Sequence, residues 1–340
     1  MGSRALDHPP VKEPRSPGPG EPGHWRSRAW WPWAKRAMSF LFFAAVVWLL
    51  VRYGRNVDWD DVLESLRNTP RPALLMAVGL AILSHLLYSC FDLIGRRYTG
   101  HDLPTLAVMT VNFISYAFNL CIGSLVGGVA FRYRLYSRLG LSSGVITRVV
   151  SMSMLTNWLG YKLLAGFLFL VHPLALPPSR KMGNHGLQWL GALLILISAG
   201  YIVACVRSGN RVWQIRGHGI YLPPWRMAVL QMTISCMNWS LMAGIIFVLL
   251  GEKIPYSDVL TVLLIGAIAG VVAHVPAGLG VFEFVFVALL SHVVPESRLI
   301  AALLGYRAIY YIGPLVVAGV LYLFMELHAR QQRRASAGAA

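Results

Sequence analysis

Acidic side chains are scarce in this sequence. Fourteen Asp+Glu stand among 340 residues against 30 Lys+Arg, and charged residues of both signs make up only 13%. A soluble domain carries about twice that charged fraction, so a water-soluble fold is excluded. Cysteine is sparse too. Cys90, Cys121, Cys205 and Cys236 each lie in or at the end of an apolar run, and none forms a CxxC pair. That excludes a disulfide framework and a cysteine-based zinc site. Catalytic motifs are lacking: there is no GxSxG, HExxH, Walker A or Asp-rich metal motif. The longest polar stretch, 37 residues, is too short for a nucleotide- or acyl-donor-binding domain. No cofactor or metal is implied, and the balance is against an enzyme.

Hydrocarbon is what the sequence has in abundance. Fifty-six per cent of it is hydrophobic, in runs of which several reach the length that crosses ~30 Å of bilayer. The alternation of a β-barrel is missing. The expected fold is all-α: a polytopic membrane helical bundle of about six to eight full spans plus re-entrant or broken helices. Nine apolar segments fall near 37–53, 72–94, 105–130, 145–171, 187–206, 226–250, 257–275, 280–294 and 298–325. Prolines punctuate their ends, where a residue without an N–H suits a helix start or stop. The net charge of +16 would suggest nucleic acid in a soluble protein. Here the basic residues flank spans, where they face the membrane surface.

Three regions follow. Residues 1–37 contain "PPVKEPRSPGPGEPGHW", which cannot build a packed element and reads as a disordered basic cytoplasmic tail. It closes on Trp30, Trp31 and Trp33 beside Arg26, Arg28, Lys35 and Arg36, an interfacial anchor. Residues 38–325 form a single transmembrane domain, and 326–340 a short basic cytoplasmic tail.

The positive-inside rule tests the topology. With nine full crossings and a cytoplasmic N-terminus, 13 Lys+Arg fall inside and 14 outside, so that arrangement shows no bias. Letting segment 105–130 break near "IGSLVGG" and return to its own side changes the counts to 19 inside and 8 outside. This arrangement places both termini in the cytoplasm and makes the third segment re-entrant. Segments 257–275 and 280–294 leave the parity unchanged whether they cross or form a hairpin. The second is short for a crossing, at ~22 Å as a helix.

The break between them, "HVPAGLGVFEF" (274–284), places His274, Pro276, Gly278, Gly280 and Glu283 between apolar runs. Irregular backbone at that depth survives only where protein buries it or water reaches it. "GGVAFR" (127–132) resembles "GLGVFE" (278–283): each opens on Gly, includes a second, and sets Phe before a charge. Glycine-interrupted segments in two halves point to the binding site of repeat-built transporters. Gly127, Gly128, Arg132 and Arg134 at the first break suit a lipid phosphate. Glu283, one turn into the second short helix, faces a cationic headgroup or a partner Arg.

Arg307 lies mid-segment, requires a partner, and takes Glu283 as first choice. Tyr306, Tyr310 and Tyr311 line a headgroup cavity or pack, packing being the commoner role. Asp92 shares a helical face with His85, or lies at the interface beside Arg96; the latter is preferred. Arg148 snorkels, Lys162 is a weaker cavity candidate, and lone His274 is read as structural. Asn112, Asn119, Gln231 and Asn238 read as interhelical hydrogen bonds.

"GSLVGGVAFRYRLYSRLGLS" (123–142), "VPAGLGVFEFVFVALL" (275–290) and "YRAIYYIGP" (306–314) resemble the transmembrane region of lysylphosphatidylglycerol synthases, and more closely its stand-alone, YbhN-like inner-membrane relatives. The resemblance runs over about 38–325. It implies a bacterial inner-membrane protein with a flippase-like role, in which Gly127, Gly128, Arg132, Pro276, Gly278, Gly280, Glu283 and Arg307 match by motif. Ala277 stands where many relatives look Gly-like. The chain ends at "QQRRASAGAA", so the aminoacyltransferase domain of the bifunctional relatives is not expected. The expectation is a phospholipid flippase or transporter with a polar midplane cavity, taking an anionic or zwitterionic lipid. The alternatives are a membrane-embedded enzyme on a lipid-linked substrate and a non-catalytic partner of an envelope lipid-synthesis complex. A homo-oligomer is compatible with either.

Overall fold

The computed structural model describes residues 60, 63–64, 67–172, 184–208, 212–215, 218–273 and 275–338. The tail 1–37, the first apolar segment 37–53 and His274 lie outside the described residues. The described elements, in chain order, are α1 (Arg71–Ser89), α2 (Phe91–Thr99), α3 (Thr105–Ile122), a π-helical stretch Ser124–Ala130, α4 (Phe131–Arg138), α5 (Ser143–Val171) and α6 (Asn184–Ser208). After strands β1 (Val212–Ile215) and β2 (His218–Tyr221) come α7 (Trp225–Leu249), α8 (Tyr256–Val272), a 3-10 turn Pro276–Gly278 and α9 (Val281–Leu290). The chain finishes with α10 (Glu296–Arg307), a second π-helical stretch Ala308–Ile312, and α11 (Gly313–Gly338).

Five helices begin directly after a proline: Pro70, Pro104, Pro224, Pro255 and Pro295 are the N-caps of α1, α3, α7, α8 and α10. The missing N–H is harmless where no helical partner exists, and the residue before a proline is held out of the helix. Among the described residues six helices are long and apolar enough to cross a membrane: Arg71–Thr99, Thr105–Ile122, Ser143–Val171, Gly186–Ser208, Trp225–Leu249 and Glu296–Leu327. α8 and α9 are apolar but shorter. The terminal helix continues to Gly338, beyond the segment end placed at 325.

The expected all-α bundle is present, with one small β element added to it. Between α6 and α7, β1 and β2 pair antiparallel, with Val212 opposite Tyr221 and Ile215 opposite His218. Val, Trp, Ile and Tyr suit a strand.

The bundle is apolar on its outside. Leu75, Trp189 and Leu196 are each more than two-thirds exposed, whereas Ser84, Asp92, Asn112, Arg132, Gln231 and Asn238 are buried. Hydrocarbon solvates the outer side chains, and the polar groups must find partners within the protein. Gln231 donates to Thr156 and accepts from Tyr201, Asn112 donates to the Tyr88 carbonyl, and Asn238 accepts from Ser84. These are the interhelical bonds expected of them.

Glycines set the two closest turns. Gly123 ends α3 at φ 102°, a conformation open mainly to glycine. The chain then packs back on the helix it has just left: a Cβ on Gly127 would lie 2.2 Å from the Asn119 backbone nitrogen. At the second break Ala277, Gly278 and Gly280 take φ of 57°, 59° and 75°. Gly278 then lies on Gly270 of α8, and a Cβ on Gly270 would meet the Gly278 Cα at 3.3 Å. The same order therefore occurs twice. A long helix, a glycine-turned hairpin and another long helix make up α1–α5, and again α7–α11, with α6 and the small β-hairpin between them.

Candidate functional site

Each hairpin turn is held by one guanidinium. At the second, Arg307 at the end of α10 donates from Nε to Glu283 Oε1 and from Nη2 to Glu283 Oε2 at 3.1 Å. Its remaining donors reach the Ala277 carbonyl at 3.2 Å and the Gly278 carbonyl at 3.4 Å. Glu283 Oε2 also accepts from the Gly280 N–H at 2.8 Å, closing the first turn of α9. Both side chains are nearly buried, 11% and 13% exposed, and the guanidinium carbon lies 5.3 Å from the Tyr311 ring centroid. The carbonyls released by the Pro-Ala-Gly turn thus find donors where the bilayer offers none. The pairing expected between Arg307 and Glu283 is present. Pro276 opens the 3-10 turn and Gly280 is the N-cap of α9.

The first turn uses the same device with the charges exchanged: the guanidinium stands on the hairpin and the carboxylate on the helix before it. Arg132 on α4 donates to the Gly128 carbonyl at 2.8 Å, to Asp92 Oδ2 on α2 at 3.0 Å, to Asn112 Oδ1 on α3, and to Ser153 Oγ on α5 at 3.2 Å. Tyr136 OH donates to the same Asp92 oxygen at 2.8 Å. Arg132 and Asp92 are buried. The placement of Asp92 at the interface beside Arg96 is corrected: Asp92 is enclosed by α2–α5 and paired with Arg132, while Arg96 donates to Thr105. The cause is energetic. Arg132, one turn beyond the break, needs a carboxylate at that depth, and Asp92 is the acidic group packed against it. Arg132 therefore spends its donors inside the protein, whereas Arg134 is half exposed, 3.5 Å from Glu326 and over the Tyr322 ring. Arg138 also bonds Glu326. Arg148 is exposed in the first turns of α5.

Tyr310 lies between the two turns. Its hydroxyl is 2.8 Å from Ser84 Oγ and 2.9 Å from Tyr116 OH, and Ser84 donates its one proton to Asn238 Oδ1 at 2.8 Å. The only consistent direction runs Tyr116 to Tyr310 to Ser84 to Asn238. Tyr310 stacks on Tyr306 at 5.3 Å, and Tyr116 stacks on Tyr88. Tyr88 carries the carbonyl that Asn112 holds, and Asn112 binds Arg132. Aromatic rings thus bridge the two guanidinium sites. Tyr306 and Tyr310 pack, both being buried. Asp92, Ser153, Ser84 and Tyr116 were not assigned to a site by sequence. The signal for Asp92 was the rule that a charge at depth requires a counter-charge, applied to Arg307 but not to Arg132.

The chain matches known proteins along most of its length, both turns included. The family model for the lysylphosphatidylglycerol synthase transmembrane region matches residues 36–318. The chain belongs to that family. It is 47% identical over 309 residues, 91% of this chain and 97% of the relative, to the inner membrane protein YbhN of Escherichia coli K12. It is 30% identical over 289 residues, 83% of this chain and 89% of the relative, to a Synechocystis protein, slr0712. With the phosphatidylglycerol lysyltransferase of Staphylococcus haemolyticus the identity is 25% over 298 residues, 85% of this chain but 34% of that protein. The chain is a multi-pass protein of the inner membrane, in a family that includes lipid-modifying proteins.

Proposed function

We propose that the chain carries phospholipid headgroups across the membrane, in the manner of a flippase, with the two glycine-turned hairpins framing the path. The observation that carries this reading is the Glu283–Arg307 pair bound to the carbonyls of a break. A carboxylate and a guanidinium are the groups that an ammonium and a phosphate need. A headgroup entering between them replaces each partner by one of like charge, so the site opens without leaving an ion bare. Both Glu283 oxygens are engaged by Arg307 and Gly280, which suits a binding group better than an acid or base. The staphylococcal relative is named for lysine transfer to phosphatidylglycerol, which supports a phospholipid as the cargo here.

The repeated order supports transport. In this reading each hairpin is re-entrant and returns to the side it entered, so α1–α2, α5 and α6 make three crossings before α7. The second half then runs opposite to the first, as in transporters of inverted repeats. The hairpins enter from opposite faces and enclose a polar chamber. Arg134, half exposed beyond the first turn, offers a fixed charge for an arriving phosphate.

The test uses the full chain in vesicles with fluorescent phosphatidylethanolamine or phosphatidylglycerol and an impermeant quencher. Faster loss of inner-leaflet signal than in empty vesicles is expected, and Arg307→Gln should abolish the gain. No acceleration for either lipid, with and without a proton gradient, overturns the proposal.

A further inference from the structure

The two guanidinium–carboxylate clamps are unequal. Glu283 takes three hydrogen bonds spread over both its oxygens. Asp92 takes two, from Arg132 Nε and Tyr136 OH, and both fall on Oδ2. Its Oδ1 is buried with no hydrogen-bond partner, and the side chain is fully enclosed. Asp92 therefore depends on Arg132 to keep its negative charge at that depth. The other titratable groups around it are Tyr136 on α4, Tyr88 on α1 and His101 in the α2–α3 connection. α3 and α5 bring neutral Asn112 and Ser153 to the pair.

Such a carboxylate is closed to ligands but not to protons, which pass along hydrogen-bonding groups. Those groups lead here from the surface. Asp92 stands seven residues inside the Thr99 end of its span, ~10 Å along the helix, and His101 follows just beyond that end. His101 is half-buried, with the charges of Arg96 and Asp102 beside it. Its Nδ1 accepts from the Leu103 N–H at 3.4 Å, so the neutral ring carries its proton on Nε2, which is enclosed and unpartnered. The ring neighbours that of Tyr136, 6.5 Å between centroids, within reach of a proton hop through one water. Burial, aided by Arg96, lowers the His101 pKa, so its protonated ring gives a proton up readily. A proton taken at Nδ1, displacing the long bond from Leu103, lets the one on Nε2 leave for the Tyr136 oxygen. The proton already on Tyr136 passes to Asp92 Oδ2. One proton has moved inward, and His101 and Tyr136 are both neutral again.

The oxygen that receives the proton is the one Arg132 holds. Protonation therefore frees a buried guanidinium, which must find another anion. We propose that Asp92 is a proton-binding site filled through His101 and Tyr136, and that each lipid phosphate taken by Arg132 is accompanied by one proton on Asp92. The inference rests on the headgroup path above and adds its driving force. The buried charge stays balanced throughout: guanidinium against carboxylate before, guanidinium against phosphate after. Lipid and proton bind together, so they cross together.

Calorimetric titration of the full chain in detergent micelles with dihexanoyl phosphatidylglycerol, in two buffers of different ionisation enthalpy, reads binding and proton uptake together. Binding at about pH 7 should take up about one proton per lipid, and none in Asp92→Asn. In vesicles, a gradient of about one pH unit should enrich labelled phosphatidylglycerol up to about tenfold in the leaflet facing the alkaline side, with a trapped pH dye responding as lipid moves. His101→Gln, at a surface position, should slow that proton movement about 100-fold, as for loss of a positioned proton-transfer group, while keeping the equilibrium uptake. Lipid that binds or crosses without proton uptake in the unmodified protein overturns this proposal and leaves the headgroup path standing, and that comparison requires no variant to fold. So does enrichment on the acidic side. Lipid that neither binds nor crosses overturns both.

Discussion

Replacing Glu283 by Gln removes one charge and little volume, and its cost follows from the geometry. The carboxylate accepts three hydrogen bonds: from Arg307 Nε on one oxygen, and from Arg307 Nη2 and the Gly280 N–H on the other. Glutamine has one oxygen, so its NH₂ must face a donor on one side. That conflict costs about 1–3 kcal/mol. The lost attraction is of similar size, ~4 kcal/mol for unit charges ~4 Å apart at an effective dielectric constant of ~20. The two overlap, and together they match the 3–5 kcal/mol typical of breaking a buried pair. Glu283→Gln is therefore expected to lose about 3–5 kcal/mol, and Arg307→Gln about the same. The double variant should lose at least ~2 kcal/mol less than the sum, because neither ion is then left alone. Reversible denaturant unfolding in a fixed detergent–lipid mixture, followed by tryptophan fluorescence, measures all four corners of the cycle. A coupling within ~0.5 kcal/mol of zero would refute the claim that the break is held by this pair.

Other substitutions test the remaining contacts. Gly127→Ala places a methyl 2.2 Å from the Asn119 backbone and should destabilise the protein by about 2–4 kcal/mol in the same assay. Gly79→Ala, with nothing within 4 Å, should be neutral or stabilise by up to ~1 kcal/mol. Ala277→Gly relieves an alanine held at φ 57° and should raise stability by about 1 kcal/mol. Asp92→Asn strips Arg132 of its counter-charge and should cost about 3–5 kcal/mol. Arg134→Gln, at a half-exposed pair, should cost less than ~1 kcal/mol. If Asp92→Asn and Arg134→Gln proved equally mild, the buried network would not be what holds the first turn.

Much of the helical layout was legible because hydrocarbon length and proline position are local signals. Pro70, Pro104, Pro224, Pro255 and Pro295 marked helix starts to within a residue or two. The Arg307–Glu283 pair was legible because a mid-segment arginine demands a carboxylate and Glu283 stood nearby in the chain. Asp92 was not, because its partner lies 40 positions away and a snorkelling contact with Arg96 satisfied the same local rule. The fold-back of Gly127 onto Asn119 was half legible. The glycines announced a break, but only the packing of the returning chain on α3 shows why no side chain is tolerated there. The β-hairpin at 212–221 was missed, since a four-residue strand carries little periodicity.

The first hairpin's partner charge precedes it in the chain and the second's follows it, which has a consequence for biosynthesis. When the ribosome has delivered the first turn, its anchor Asp92 has already been made, and Arg132 can close on it at once. The second turn emerges with Glu283 alone, and Arg307 follows 24 positions later. At ~5–20 residues per second of translation that interval is on the order of 1–5 s. The first clamp can close as soon as its own hairpin is inserted, whereas the second stays open, with an unneutralised carboxylate, until α10 arrives.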